Sequence, residues 1–397
     1  MQEDKFRYHH RGVSASKDEV HRAIKFLDKG LYPNAFCKIL PDLVAHDAAY
    51  CNVMHADTAG TKTSLAYLYW KETGDINVWK GIVEDSIVMN TDDMACVGCV
   101  DNIIISSTIG RNKHLITGEV ISTIIEHSQA FIQKMETLGI QMHLAGGETA
   151  DVGDIVRTLD VGFTTFCRIP RKNVVDIDLK DGDYIVGFSS SGQATYEDSF
   201  NAGIGSNGLT SARHDLLHAS YKQKYPESFS AEMNPDYAYT GSYHLSDEVV
   251  LPEGKFTIGQ LVLSPTRTYM PVIKDIIREC GVENIHGMIH CSGGGQTKVS
   301  KFIKNSVRVI KDNLFPVPAI FSLIQKESGS DWEEMYKVFN MGHRLEVYTP
   351  SLGLAEDMIR IADRYRIEGR IIGRAVHSDN PGLTIQTNDF TIEYSQL

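Results

Sequence analysis

Met54-His55-Ala56-Asp57-Thr58-Ala59-Gly60-Thr61-Lys62-Thr63 gathers a carboxylate, two small residues, a glycine, a hydroxyl and a lysine between positions 57 and 62. The apolar run Leu65-Ala66-Tyr67-Leu68-Tyr69-Trp70 follows it. Alone, the stretch reads equally as a polar turn, where Asp and Gly are the usual residues. Two later stretches change that balance. Asn90-Thr91-Asp92-Asp93-Met94 brings adjacent carboxylates after an apolar segment, and Ala145-Gly146-Gly147-Glu148-Thr149-Ala150 brings a glycine pair and another carboxylate. Three acidic loops that each end an apolar run can converge on one metal–phosphate site.

A chain of 397 residues is long for one core, so two domains are expected. The net charge of -12 and the lack of a basic patch argue against nucleic acid as a partner. An anionic substrate then needs local cations against the global field. Seven scattered cysteines and an N-terminus without a signal-peptide pattern point to the cytoplasm. Cys96-Val97-Gly98-Cys99 lies among Met94, Ala95 and Val100, which favours buried structural thiols over zinc. No apolar run reaches membrane-spanning length, so no membrane partner is expected.

Periodicity predicts alternating strands and helices. A polar arm, His9 to Ala15, precedes a helix over Lys17–Leu27. Tyr50 to His55 reads as a strand, and Asn77 to Met89 as an apolar segment leading to a helix start at Asp92-Asp93, where acids suit the dipole. Asn102–Ser106, Gln141–Leu144 and Leu159–Arg168 read as strands, and Glu119–Leu138 as an amphipathic helix. Ile169-Pro170-Arg171-Lys172 reads as a boundary, giving domains 1–170 and 171–397. In the second half, Tyr184–Phe188, Ile285–His290, Leu345–Tyr348 and Arg370–Gly373 read as strands. Tyr269–Cys280, Pro318–Gln325, Trp332–Val338 and Ala355–Tyr365 read as helices. About 193–251 is an inserted segment rich in Ser, His, Tyr, Asp and Glu. The class is α/β or α+β.

Familiar nucleotide signatures fail on context. Gly203-Ile204-Gly205-Ser206-Asn207-Gly208 spells G-x-G-x-x-G, but no buried strand precedes it. Gly60-Thr61-Lys62-Thr63 lacks the upstream glycine of a P-loop. What remains is Gly-rich loops with hydroxyls, a lysine and carboxylates. Glycine lets backbone N–H groups approach an anion, Ser and Thr donate, and Lys adds a point charge. Carboxylates beside phosphates make sense when Mg²⁺ lies between them. Asp57, Asp93 and Glu148, with Asp85 or Asp92 in support, form that set. The competing reading makes Asp92-Asp93 a helix cap and Glu148 a turn residue.

The chain resembles the phosphoribosylformylglycinamidine cyclo-ligase (aminoimidazole ribonucleotide synthetase) family. That family's D-G-V-G-T-K is similar to Asp57 to Lys62, its D-L-V-A-M-x-V-N-D-L to Asp85 through Met94, and its G-G-E-T-A is Gly146 to Ala150 unchanged. Its S-S-G, S-N-G and P-T-R-I-Y resemble Ser190-Ser191-Gly192, Ser206-Asn207-Gly208 and Pro265-Thr266-Arg267-Thr268-Tyr269. Its A-H-I-T-G-G-G resembles Ile289 to Gly295, and its F-N-M-G is Phe339-Asn340-Met341-Gly342. The family's single S-G-P-H-S-N-G loop is split here by Gln193 to Gly205.

The resemblance implies a two-domain fold whose N-terminal strands pair into a barrel across a homodimer. It implies an ATP-dependent, C–N bond-forming ligase of purine biosynthesis, closing the ring of formylglycinamidine ribonucleotide through an iminophosphate. The cofactors would be ATP and Mg²⁺. Asp57, Asp93 and Glu148 would hold the metal. Thr61, Lys62, Asp85, Asp92, Gly146, Gly147 and Thr149 would meet the nucleotide. His290, with Lys62 and Asp57, would be catalytic. Ser191, Ser206, Asn207, Gly293, Gly294 and Asn340 would line the substrate. Apart from the resemblance, the length and polarity of the inserted segment favour a lid adding positive charge through Arg213, His214, His218, Lys222 and Lys224, and the competing reading is a surface insertion at the dimer rim or without a role. The rivals are another small-molecule kinase or synthetase of the superfamily and a non-catalytic nucleotide-sensing paralogue.

Overall fold

The computed structural model describes residues 10–12, 22–23, 26–304 and 306–395. The helix expected over Lys17–Leu27 and most of the arm His9–Ala15 lie outside these residues. The first half runs β1 (Ile39–Pro41), β2 (Tyr50–Thr58), α1 (Lys62–Thr73), α2 (Val78–Ala95), β3 (Ile103–Arg111), α3 (Gly118–Thr137), β4 (Met142–Asp151) and β5 (Leu159–Pro170). Its strands form a five-stranded sheet in the order β1-β2-β5-β3-β4, parallel only between β3 and β4.

One face of this sheet packs on helices. In α3, Val120, Ile124, Phe131, Ile132 and Met135 are buried at helical spacing, and Gly139 just past its end is left-handed at φ 79°. The expected helix start at Asp92-Asp93 is corrected. Both acids lie in the last turn of α2, whose residues are buried on nearly every side from Ile82 to Ala95. A helix enclosed all round has no polar stripe, so its period is illegible in sequence. The other face of the sheet is open: Met54 is 63% exposed and Ile104 43%, with Phe166 paired to both in register. Cys96 and Cys99 are buried free thiols, pushed up by desolvation, as expected of structural cysteines.

The second half begins with β6 (Tyr184–Ser189), followed by α4 (Leu209–Leu216), α5 (Ser220–Lys224), the hairpin β7 (Glu248–Leu251) and β8 (Gly254–Thr257), and α6 (Ile258–Val262). Then come α7 (Met270–Cys280), β9 (Gly287–His290), β10 (Val307–Lys311), α8 (Ala319–Ser328), α9 (Trp332–Val338), β11 (His343–Thr349) and α10 (Leu352–Asp363). The chain closes with β12 (Gly369–His377), β13 (Gly382–Gln386) and β14 (Thr391–Ser395). A seven-stranded sheet has the order β14-β13-β10-β12-β6-β11-β9, and only β10 and β13 are parallel. Every residue of β11 is buried, including His343, Arg344 and Glu346. Charges in a fully enclosed strand need partners there.

The inserted segment is a packed structure and not an open lid. His214, Phe229 and Tyr239 form an aromatic cluster. The segment bridges α1 and α8: Tyr67 Oη donates to Glu227 at 2.5 Å, Ser64 Oγ to the Ser228 carbonyl at 2.7 Å, and the Ser242 N–H to Glu327 at 2.9 Å. Arg11 also docks on it, donating to Asp215 at 2.6 Å and to Ser211 Oγ at 2.8 Å. Arg213 and His214 are buried within it, and burial holds the imidazole well below its usual range. The expectation that these two face a substrate phosphate is corrected.

Candidate active site

Pro265-Thr266-Arg267-Thr268-Tyr269 is the knot between the two halves. Thr266 donates to Asp85 from both N–H (2.8 Å) and Oγ1 (2.6 Å). Arg267 pairs with Glu197 at 2.6 Å. Thr268 Oγ1 and the Tyr269 N–H donate to the two oxygens of Asp92 at 2.7 and 2.9 Å. The acids of α2 are therefore held from the second half of the chain. Burial pushes the Asp92 carboxyl up, against the pull of His290, Arg344 and its two donors.

This geometry reassigns several expected site residues. Lys62 is fully buried, with Nζ 2.8 Å from Asp85 and 2.6 Å from the Ser264 carbonyl. Burial pulls its ammonium below the usual lysine range, and Asp85 opposes that. Lys62 and Asp85 thus neutralise each other, and Asp92 is a pin. Thr61 stands just before α1 without capping it, and its hydroxyl shares a hydrogen bond with Thr210.

Nor do the three expected metal ligands meet in one chain. In register, Asp57 faces Phe163, Phe163 faces Ser107, and Ser107 faces Gly147. Three strand spacings put Asp57 and Glu148 about 14 Å apart along the sheet. One Mg²⁺ with ligands at roughly 2.1 Å cannot touch both. Glu148 is exposed on the edge strand, whereas Asp57 alternates with the exposed Ala56 and Thr58. Gly146, Gly147 and Thr149 are exposed with Glu148, inside a strand and not in a loop. Gly147 allows close approach of β3: a β-carbon there would stand 2.4 Å from the Ser107 carbonyl oxygen.

Asp93 makes the other junction. Its Oδ1 lies 2.6 Å from His290 Nδ1 and its Oδ2 3.4 Å from His55 Nε2. Arg344 Nε–H donates to His290 Nε2 at 3.1 Å. An arginine can only donate, so the ring proton of His290 sits on Nδ1, facing Asp93. Both nitrogens are thereby engaged in a fully buried ring, so in this chain His290 faces Asp93 and Arg344 and no open surface. His55, missed in the sequence, keeps 23% of its side chain exposed. Burial works against its charge, but the bond to Asp93 carries its pKa upward.

The substrate-side loops do converge. Asn340 Oδ1 accepts from Ser190 Oγ at 2.8 Å, and its Nδ2 donates to the Gly203 carbonyl at 2.8 Å. Gln296 donates to the Asn340 carbonyl at 2.5 Å. A β-carbon on Gly293 would stand 3.7 Å from Asn207 Oδ1, so the 206–208 and 292–295 loops adjoin. Ser206 Oγ lies 3.5 Å from Thr266 Oγ1, and the Ser191 carbonyl accepts from Arg267. Gly294 lies beside Gly293, with φ at 125°. Deeper, Cys291, His343 and Glu346 hold potential ligand atoms within 4.8 Å of one another. Lys311 donates to Glu346 there, so the cluster is a closed ion pair and not a metal centre.

The mixed α/β fold defines a class: residues 42–169 match the family model described as AIR synthase related protein, N-terminal domain. The resemblance stated from the motifs is borne out by curated relatives named phosphoribosylformylglycinamidine cyclo-ligase, a ligase name as expected. The one from Methanocaldococcus jannaschii is 27% identical over 330 residues, 83% of this chain and 79% of the relative. The one from Methanosarcina mazei is 26% identical over 391 residues, 98% and 92% of the two chains. A solved HypE–HypF complex matches at a TM-score of 0.55 and 15% identity, over 97% of this chain and 100% of that one. T. maritima PurL complexed with AMPPCP matches at a TM-score of 0.48 and 15% identity, and this chain spans 44% of its length. No helix among the described residues is long and apolar enough to cross a membrane.

Proposed function

We propose that the protein closes the ring of formylglycinamidine ribonucleotide to give aminoimidazole ribonucleotide, consuming ATP. The observation that carries this reading is Asn340, which ties the Ser190 and Gly203 loops to the F-N-M-G turn. Of these segments, the F-N-M-G turn is the one that resembles the cyclo-ligase rather than its relatives. Domains 1–170 and 171–397, a homodimer and a cytoplasmic location complete the proposal.

The formyl oxygen is a poor leaving group. Transfer of the γ-phosphoryl group of ATP to that oxygen makes it a good one. The amidine nitrogen then attacks the formyl carbon, a C–N bond forms, the C–O bond breaks, and phosphate leaves with the oxygen and the electron pair. One proton is released. The chain's part is positioning and charge complementarity. The loops at 189–192, 203–208 and 292–295 hold the ribonucleotide. His55 is the accessible end of the His55–Asp93–His290 series, with Nε2 on Asp93 and Nδ1 3.0 Å from Asn90 Oδ1, and it orients Asp93. Asp57, Asp93 and Glu148 of one chain do not fit a single Mg²⁺, so no step is routed through that ion. A metal bound by both Asp57 and Glu148 would need carboxylates from two copies.

The test is ADP release by the purified protein with formylglycinamidine ribonucleotide, compared with substrates of other ATP-dependent relatives. Release with formylglycinamidine ribonucleotide alone supports the reading. Release with another small phosphate acceptor instead makes the protein a kinase of the same fold.

A further inference from the structure

Arg344 is a buried cation without an acid. Four of the five other enclosed cations in the described residues have one each: Lys62 has Asp85, Lys311 has Glu346, Arg267 has Glu197 and Arg11 has Asp215. Arg344 instead donates Nε–H to His290 and an Nη2 hydrogen to the Arg267 carbonyl, both neutral acceptors. Its guanidinium carbon lies 5.4 Å from the centre of the Tyr269 ring. Its field reaches Asp92, but that carboxylate is already engaged by Thr268 and Tyr269. Arg213 also lacks an acid, but it bonds Ser228 and Tyr239 inside the inserted segment's own cluster. A buried charge with only neutral partners is costly, and a bound anion would offset that cost.

The backbone around Arg344 aims it. The pairing of β11 with β6 slips between His343 and Leu345, so Arg344 is the extra residue of a bulge. Bulges redirect side chains and concentrate beside functional sites. Just upstream, Met341 is held at φ 52°, a strained value for a residue with a β-carbon. Nη1, the nitrogen without a hydrogen bond among the described residues, lies beside Gly205. A β-carbon on Gly205 would stand 3.4 Å from it. Gly205 directly precedes Ser206-Asn207-Gly208, and Asn207 adjoins Gly293. Gly205 and Gly293 both have left-handed φ, 67° and 59°. Glycines of this kind let backbone N–H groups close on an anion.

We propose that Arg344 is the anion-binding residue of the substrate site and that its ligand is the substrate's phosphate monoester. The assignment of a phosphate monoester rests on the ribonucleotide reading above. Arg344 would then join the phosphate to the His290–Asp93 pair, so that binding orients the histidine.

The experiment compares wild type with Arg344→Met and Arg344→Lys by thermal melting, in ribose 5-phosphate or ribose at equal ionic strength. Wild type is expected to melt several degrees higher with ribose 5-phosphate and not with ribose. Arg344→Met is expected to lose that response and, without ligand, to melt no lower than wild type, because an uncompensated charge is gone. Arg344→Lys is expected to keep part of the response. ATP affinity, by calorimetry, should be the same in all three. An Arg344→Met protein that still responds to ribose 5-phosphate overturns the proposal, as does a wild type that never responds. A variant that melts lower without ligand and binds ATP more weakly marks Arg344 as a structural tie and also overturns it. The readout needs no turnover. A wild type that binds ribose 5-phosphate through Arg344 yet forms no aminoimidazole would leave the anion site standing and remove the proposed reaction.

Discussion

Lys62 Nζ lies 2.8 Å from Asp85 Oδ1, and both side chains are fully buried where the two halves of the chain meet. The pair sits under the Thr266 N–H and hydroxyl and the Ser264 carbonyl. It closes the interface between α1, α2 and the second half.

Lys62→Met should therefore cost stability by about 3–5 kcal/mol, since it strands the Asp85 charge. Adding Asp85→Asn should recover much of that loss, because the charge is gone while the amide oxygen still accepts from Thr266. Urea unfolding of both variants checks it. A Lys62→Met protein that unfolds like wild type but binds ATP poorly would restore the lysine to the phosphates.

Glu346 gives a pH prediction. Burial pushes its carboxyl up, but Lys311 and His343 outweigh that and bring it from 4.5 to about 2. A depressed folded pKa contributes stability that is present above the unfolded value and fades as pH falls through the folded one. Stability should thus decline between about pH 4.5 and 2. Glu346→Gln should flatten that part of the acid limb and cost about 3–5 kcal/mol near neutrality, because Lys311 loses its partner. Denaturation across that range tests both. An unchanged acid limb in Glu346→Gln contradicts the assignment.

The open face of the first sheet predicts association. Met54 and Ile104 flank Phe166 on adjacent strands, and among the described residues the edge strand β4 has no strand along its outer side. An apolar sheet face with a free edge is a surface to be covered. Light scattering should show a homodimer at micromolar concentration, and Met54→Glu with Ile104→Lys should give a monomer. A wild-type monomer would contradict the pairing.

The sequence made much of the fold legible, and the failures have physical causes. α3 appears within one residue of its expected span because one face is wet. Trp332–Val338 matches for the same reason, with an Asp331 cap. α2 was misread at Asp92-Asp93 because enclosure on all sides removes the helical period. The inserted segment looked like a loop because its core is aromatic and polar rather than aliphatic. At the site, the motifs named the right segments but not the partners. Lys62, Asp85 and Asp92 belong to long-range ties that no local spacing reveals. His55 stood inside the stretch that organised the reading, yet its link to Asp93 depends on β2 and α2 packing face to face. Arg344 left no such signal, since His343, Arg344 and Glu346 let β11 read as a half-solvated strand and only the fold encloses it.

His55→Ala tests the accessible end of the His55–Asp93–His290 series apart from binding. With formylglycinamidine ribonucleotide and ATP, turnover should fall about 10²-fold or more while both Michaelis constants stay near wild type. His290→Asn should also slow turnover. It should lower thermal stability too, because it weakens the partner of the buried Asp93 carboxylate. Equal activity in His55→Ala and wild type would remove His55 from the mechanism.

The most direct test of the central claim is product analysis. Purified protein is incubated with ATP, Mg²⁺ and formylglycinamidine ribonucleotide, and ADP and aminoimidazole ribonucleotide are quantified together. One aminoimidazole ring per ADP is the predicted result. ADP without ring product, or neither product from a folded, ATP-binding protein, would contradict it.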